Sequence, residues 1–422
     1  MIDYYEIEIR PLKVNTYPNL PATDMIGYDG LFPGPTFMMQ KGRGEPSEST
    51  MVNELVTEQV TEAVVRFSNN GPTNMSTHVH GQYNRAPFDG WAGDYANPGQ
   101  YKDYYYPNAQ DARTIWYHDH TEYSTGLNVY MGLEGFYLLT DDEEQALGLP
   151  ADKYDVPMML SDAQYSVNGS LVYNTNGHNG VWGDVIKVNG QPWPFLNVEP
   201  RKYRFRLLNG AVSRKTNETE ALEFSVIASD CGLFSQPVPA KYLAFSMGER
   251  YEIVVDFAKY IGRKVTMRNV QYTGPYPDYA ATDRVMQFVV GAFINDQSNN
   301  AAVPSSLRTL PPPPQTNNIT KTFTFSRIGA EWAVNGVGWA DVEHRILTRP
   351  TLGADEVWEL TNGGGNDTHP IHIHLVDFQI LSRTGGRDEV QPYETAGMKD
   401  IVWLAPGETA RVVAKYAPWN GV

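Results

Sequence analysis

Short runs in which apolar and polar residues alternate, or in which β-branched and aromatic residues cluster, recur along the whole chain. Residues 5–10, 64–67, 113–120, 202–208, 251–257, 284–290, 321–326, 400–404 and 409–416 all have this character. A period of two is the signature of a strand with one buried face. Turn-forming residues separate the runs, and 37 Gly with 29 Pro supply them in quantity. No long stretch carries the 3.6-residue period of an amphipathic helix, although residues 141–147 suit a short one. The pattern predicts an all-β protein assembled from sandwich or barrel units.

Two stretches interrupt the series and divide it. Residues 141–154 are charged and turn-rich, while residues 295–318 contain Pro311, Pro312, Pro313 and Pro314 and read as an extended polyproline linker. At 422 residues the chain is too long for one ordinary core. The expected units are therefore 1–145, 146–300 and 301–422. Residues 42–59 are polar, rich in Glu, Ser and Thr, and fit the strand series badly. They read as a surface loop or as a segment foreign to the mature product.

Composition narrows the function by exclusion. With 33 basic against 49 acidic residues the net charge is −16, which repels phosphate backbones and argues against nucleic-acid binding. No apolar run approaches the ~20 residues of a membrane helix. Cys231 is the single cysteine, so an internal disulfide is ruled out. Five Asn-x-Ser/Thr triplets, at Asn74, Asn168, Asn217, Asn318 and Asn366, would carry glycans only in a secreted chain. The residues from Met1 onward hold no apolar leader.

The histidines change the picture most. Seven of nine fall in three tight clusters: His78 and His80; His118 and His120; His369, His372 and His374. Residues two apart on a strand share a face, so His78 with His80, His118 with His120, and His372 with His374 each project together. His369 stands an odd number of positions from His372 and is expected to face a different site. The first and third units hold the clusters and the middle one has only His178, which makes it a spacer and scaffold. A lone histidine on a strand is ordinarily structural, but three paired clusters are not. Structural zinc prefers four compact ligands, often thiolate. Six paired imidazoles without cysteine suit several copper ions, because imidazole and Cu(II) form the strongest first-row pairing. Hydrolysis at such a metal site would need a general base, for which only Asp89 and Asp119 offer themselves.

These clusters, with Gly27-Tyr28-Asp29-Gly30, Pro33-Gly34-Pro35-Thr36-Phe37, Arg85-Ala86-Pro87-Phe88-Asp89-Gly90-Trp91, His372-Ile373-His374-Leu375-Val376-Asp377-Phe378 and Tyr416-Ala417-Pro418-Trp419, resemble the multicopper oxidases. Those enzymes have three cupredoxin domains and include the laccases, and the nearest likeness is to fungal bilirubin oxidases and spore-coat laccases. The resemblance implies three cupredoxin-like β-sandwich or Greek-key barrel domains. It also implies one-electron oxidation of phenolic, aryl-amine or tetrapyrrole donors, coupled to reduction of O2 to water.

The resemblance assigns roles as well. His78 and His372 match the type 2 copper ligands. His80, His118, His120 and His374 match four of the six type 3 ligands, and His369 matches a ligand of the type 1 copper. Asp89 matches an acid that passes protons to the copper cluster, though on residue type alone it could equally be a turn residue before Gly90. The implied partners are a small aromatic donor and O2, with no nucleic acid and no membrane, for a secreted monomer.

Three departures qualify these expectations. The family's His-Cys-His motif does not appear in these 422 residues, and Cys231 has no nearby histidine. The third domain is therefore expected to be incomplete at its C-terminus, with two coppers or fewer and doubtful activity. Asp367 stands two residues before His369, where bilirubin oxidases carry tryptophan, which puts bilirubin in doubt as a substrate. Tyr123 follows His120 where relatives often have histidine. The alternative is a catalytically inactive copper-binding or interaction protein that keeps the fold.

Overall fold

The computed structural model describes residues 2–41, 62–173, 180–212, 216–217, 222–269, 279–312, 316, 318–329 and 331–416. The polar stretch 42–59, His178, Pro313 and Pro314, and residues 417–422 therefore lie outside the described residues. Regular structure is almost entirely β, as the alternation predicts. Strand Glu62–Asn69 shows why: Ala63, Val65, Phe67 and Asn69 are buried while their neighbours are half-exposed. The short helix expected near residue 141 is Asp142–Gln145, with the Asp141 side chain accepting from the Glu144 N–H as its cap.

One four-strand arrangement occurs three times. In the first copy the order is Thr23–Tyr28, Ile2–Val14, Glu62–Asn69, Tyr101–Tyr106. In the second it is Val185–Val188, Asp155–Ala163, Lys202–Asn209, Arg250–Asp256. In the third it is Glu331–Val334, Ile319–Ile328, Asp355–Asn362, Thr409–Lys415. The central pair is parallel in each copy and both flanking pairs are antiparallel. Each copy encloses its own apolar cluster: Ile9, Val65, Tyr104 and Tyr117 in the first, Phe205, Leu207, Ile253 and Phe288 in the second, and Leu360, Phe378, Val402 and Val412 in the third.

The strands that carry the histidines lie in two other sheets, one of four strands and one of two, at the junction of these copies. Thr77–His80 pairs antiparallel with Arg113–Asp119, and His369–His372 pairs with Ile401–Leu404. Arg113–Asp119 is buried along its whole length. Ile115 and Tyr117 point into the first core, whereas Trp116 packs against Met159 and Leu208 of the second copy. Burial on both faces is what a strand between two packed units requires, and it lets one strand serve both the core and the junction.

The stretch expected as an extended linker is docked. Leu307 enters the core of the second copy, and Arg308 Nη2 pairs with Asp141 Oδ2 at 2.6 Å. A buried guanidinium with a carboxylate partner holds this strap, so its proline content does not make it a free spacer. Arg308→Ala leaves the buried Asp141 without its cation, an uncompensated charge that costs about 3 kcal/mol. The urea midpoint of the full chain should fall accordingly. Arg308→Ala with an unchanged midpoint would show that the strap contributes no stability.

Candidate metal centre

Strand register sets the first four imidazoles. His78 lies directly opposite His118, and His80 opposite Trp116, so the even-numbered side chains of both strands share the junction face. His120 follows just beyond the end of its strand. The third copy supplies His372, at the end of its strand, and His374.

The two sets meet. The His80 and His372 rings stack with centroids 3.6 Å apart, and those of His78 and His374 at 4.1 Å. His78 also lies 5.5 Å from His118 and 5.4 Å from His120. Ligand atoms of His78, His372 and His374 fall within 4.8 Å of one another, and so do those of His78, His80 and His118. His369 is directed elsewhere. Its ring meets Trp332 edge-on at 4.4 Å, in a cleft of about 520 Å³ also lined by Trp339, Arg345 and Leu347.

Five of the six rings are held at one nitrogen. His78 Nδ1–H donates to the Asp89 carbonyl at 2.5 Å, and His118 Nδ1–H to the Asp119 carbonyl at 2.8 Å. His372 Nδ1–H donates to the Asp400 carbonyl and His374 Nδ1–H to Asp89 Oδ2, both at 2.8 Å. Because a carbonyl only accepts, these bonds fix the proton on Nδ1 and leave Nε2 with its lone pair. His80 is turned the other way: its Nε2 faces Asp400 Oδ1 at 3.2 Å, leaving Nδ1 for the cluster.

Gly90 makes the Asp89 contact close. Its φ is +78°, and a Cβ there would lie 2.3 Å from the Thr77 carbonyl oxygen. Only glycine allows the loop to press on the histidine strand this tightly.

Burial disfavours the charged form at His80, His118, His120, His372 and His374. It lowers His80, His118 and His372 well below the usual histidine range, and each neighbouring imidazole adds to the effect. His120 is pushed down to about 3, first by burial and then by His78 and His374. Burial also lowers His374 and His369. Burial alone would raise the Asp89 carboxyl, but His78 and the bond from His374 hold it below the carboxylate range. Asp119 goes up, mainly through burial, and is occupied by Ser76, Thr121 and Asn128. It buttresses the loops and is not free to act as a base.

The donor set fits soft-to-borderline metal ions. His78 Nε2, His120 Nδ1, His372 Nε2 and, separately, His369 Nε2 are buried with no hydrogen-bond partner. Unpaired buried nitrogens are costly, and a neutral imidazole lone pair is what copper binds. Cys231 is buried, with Asp377, Asp400, Arg113 and Asp230 as its charged neighbours. Asp400 is the site residue that sequence reasoning missed. Its one signal is an acidic residue opening the apolar strand Ile401–Leu404.

Comparison with known proteins gives this arrangement its class. Multicopper oxidase family signatures match residues 47–144 and 308–422. The chain is 49% identical to the bilirubin oxidase of Albifimbria verrucaria over 99% of its own length and 73% of that protein. It is 31% identical to the laccase of Bacillus subtilis over 99% and 90%. The crystal structure of the McoA multicopper oxidase of Aquifex aeolicus superposes with a TM-score of 0.84 at 26% identity, covering 99% of this chain and 92% of that one.

The chain belongs to the multicopper oxidase family. It is a copper-dependent oxidoreductase of laccase and bilirubin-oxidase type that uses O2 as acceptor, built on the cupredoxin-like fold of that family.

The lowered imidazoles make the copper-free chain acid-sensitive. A base with a folded pKa below its unfolded value takes up more protons when unfolded, so stability is full above about pH 6.5 and falls as pH drops toward 3. Each such ring contributes up to about 1.4 kcal/mol per pH unit in that window. Thermal unfolding of copper-free protein at pH 7.5, 6.5 and 5.5 checks this, and His120→Asn should flatten the trend. A melting temperature that rises on acidification would contradict the assignment of buried neutral rings.

Proposed function

We propose that the six-imidazole cluster is where copper reduces O2, and that His369 serves a separate copper that takes electrons from the donor. The observation that supports this is that His78 and His372 are each pinned at Nδ1 while the other nitrogen is buried and unpartnered. His78 and His372 would hold one ion. His80, His118, His120 and His374 would serve a neighbouring pair, and His369 the donor-side ion. Bound copper supplies one-electron chemistry and Lewis acidity.

The chain's own residues do the rest. The carbonyls of Asp89, Asp119 and Asp400 orient rings, and neighbouring side chains exclude bulk water. Asp89 accepts from His374 through Oδ2, while its buried Oδ1 lies 3.4 Å from His78 Nδ1 and makes no hydrogen bond. A carboxylate set between two rings of the cluster is placed to pass protons, which the reduction of O2 to water consumes. Trp332 and Trp339, with Arg327 and Arg345 over their faces, offer stacking surface beside His369. We take phenolic, aryl-amine or tetrapyrrole compounds as donors, with Asp367 weighing against bilirubin itself.

The same reading divides the chain at residues 145 and 300 into three units, each with its own apolar cluster. It makes the protein a monomer and a secreted one, the secretion in keeping with the five Asn-x-Ser/Thr triplets. No helix among the described residues is long and apolar enough to cross a membrane.

Oxygen uptake by the copper-loaded chain, measured with a phenol, an aryl amine and a tetrapyrrole, tests the reading; copper-loaded protein that consumes no O2 with any of them would refute it. Asp89→Asn should keep its copper yet lose roughly 100-fold in kcat, the usual weight of a proton-transfer group. Unchanged turnover would remove Asp89 from the proton path.

A further inference from the structure

We propose that Arg250, on the middle copy, is a positioning residue for the copper ligands and acts through Asp400. The proposal rests on the reading of the six histidines as copper ligands. It concerns a residue that touches none of the proposed ions.

Arg250 is completely buried, and all five of its N–H donors are placed. Nε donates to the Thr114 carbonyl at 3.0 Å, on the strand that carries His118. Nη1 donates to the Gly248 carbonyl at 3.1 Å and to Asp400 Oδ1 at 2.7 Å. Nη2 donates to the Asp230 carbonyl at 3.0 Å and to Asp400 Oδ2 at 2.6 Å. One guanidinium thus ties the first, second and third copies together.

Asp400 is where the clamp reaches the histidines. Its Oδ1 faces His80 Nε2 and its carbonyl accepts from His372 Nδ1, so a single residue orients both members of the closest stacked pair. Asp230 holds the backbone of the same residue: its Oδ2 accepts from the N–H groups of Asp400 at 3.2 Å and Ile401 at 3.3 Å. Gly81, immediately after His80, has φ +88°, and a Cβ there would sit 2.6 Å from Arg250 Nη2 and 2.7 Å from Asp400 Oδ2. The strand therefore ends in the residue that leaves room for the ion pair.

Lysine cannot replace this arrangement. It is a point charge with three donors, and it lacks the planar fork that grips both carboxylate oxygens while also reaching Thr114. Loss of the fork frees Asp400 to rotate. His80 then loses the carboxylate that decides which nitrogen it presents, and His372 keeps only its bond to the Asp400 backbone carbonyl.

The test titrates the copper-stripped full chain with Cu(II) ions alone and reads both affinity and the electron paramagnetic resonance spectrum. Arg250→Lys should weaken copper binding at the histidine cluster by roughly 10–100-fold, the range for loss of a partner behind a metal ligand. It should also change the copper hyperfine splitting. Arg383→Lys is the control for general damage. That arginine is also fully buried and serves Glu394, Glu408 and the Trp403 carbonyl, so its loss should lower the melting temperature without changing copper affinity or spectrum.

A folded Arg250→Lys protein with wild-type affinity and spectrum overturns the proposal. Should that variant fail to fold, Asp400→Asn decides by the same two readouts, with the same direction expected and the same result overturning it. His372→Ala separates the two layers. Loss of copper there with no effect of Arg250→Lys or Asp400→Asn sinks only the positioning role. Unchanged copper binding in His372→Ala sinks the ligand reading and the proposal with it.

Discussion

A hydrogen bond at one nitrogen of an imidazole decides what the other nitrogen can do, and the junction of this protein is organised around that constraint. His78, His118 and His372 each give their Nδ1 proton to a backbone carbonyl, and His374 gives its proton to Asp89. Backbone acceptors cannot titrate or rotate away. The orientation of the rings is therefore built into the fold and does not depend on the metal. Burial then removes the competing proton, so the unpinned nitrogens remain lone-pair donors. A copper oxidase needs both conditions, because a ring that could flip or charge would release its ion.

The fold serves this by repetition and by unequal use of the repeats. The same four-strand arrangement appears three times, yet the described imidazoles of the cluster come from the first and third copies only. The middle copy contributes charge: Asp230, Glu249 and Arg250 face Lys399 and Asp400 of the third copy, and Arg206 and Glu252 bond to Thr114 of the first. These groups are almost completely buried, and such pairs are poor sources of net stability. What they supply is registration, since a bidentate contact tolerates little sliding between units.

Much of this was legible in the chain because strands report themselves through a period of two. The run 64–67 was legible as a strand, although Val64 in it faces outward, and the same rule put His78 with His80 and His372 with His374, with His369 apart. Asp155–Ala163 was not legible. Its core of consecutive Met and Leu residues is buried on both faces, so alternation vanishes. The strap around Leu307 and Arg308 was misread because polyproline composition describes the backbone and says nothing of the few apolar and charged side chains that dock it. Arg250 and Asp400 were invisible for a different reason. They are 150 residues apart in sequence, and a buried ion pair looks like two surface charges until the fold brings them together.

The stacked pairs His80 with His372 and His78 with His374 have a further consequence for how the molecule is made. At ribosomal rates of about 5–20 residues per second the early histidines are released some tens of seconds before their partners exist. During that interval the first sandwich can fold around its own core, but its four imidazoles form an unfinished nest facing solvent. Correct metallation must then be a late event in biogenesis, after the last sandwich has closed over the first. An ion captured earlier would be held by four of the six imidazoles.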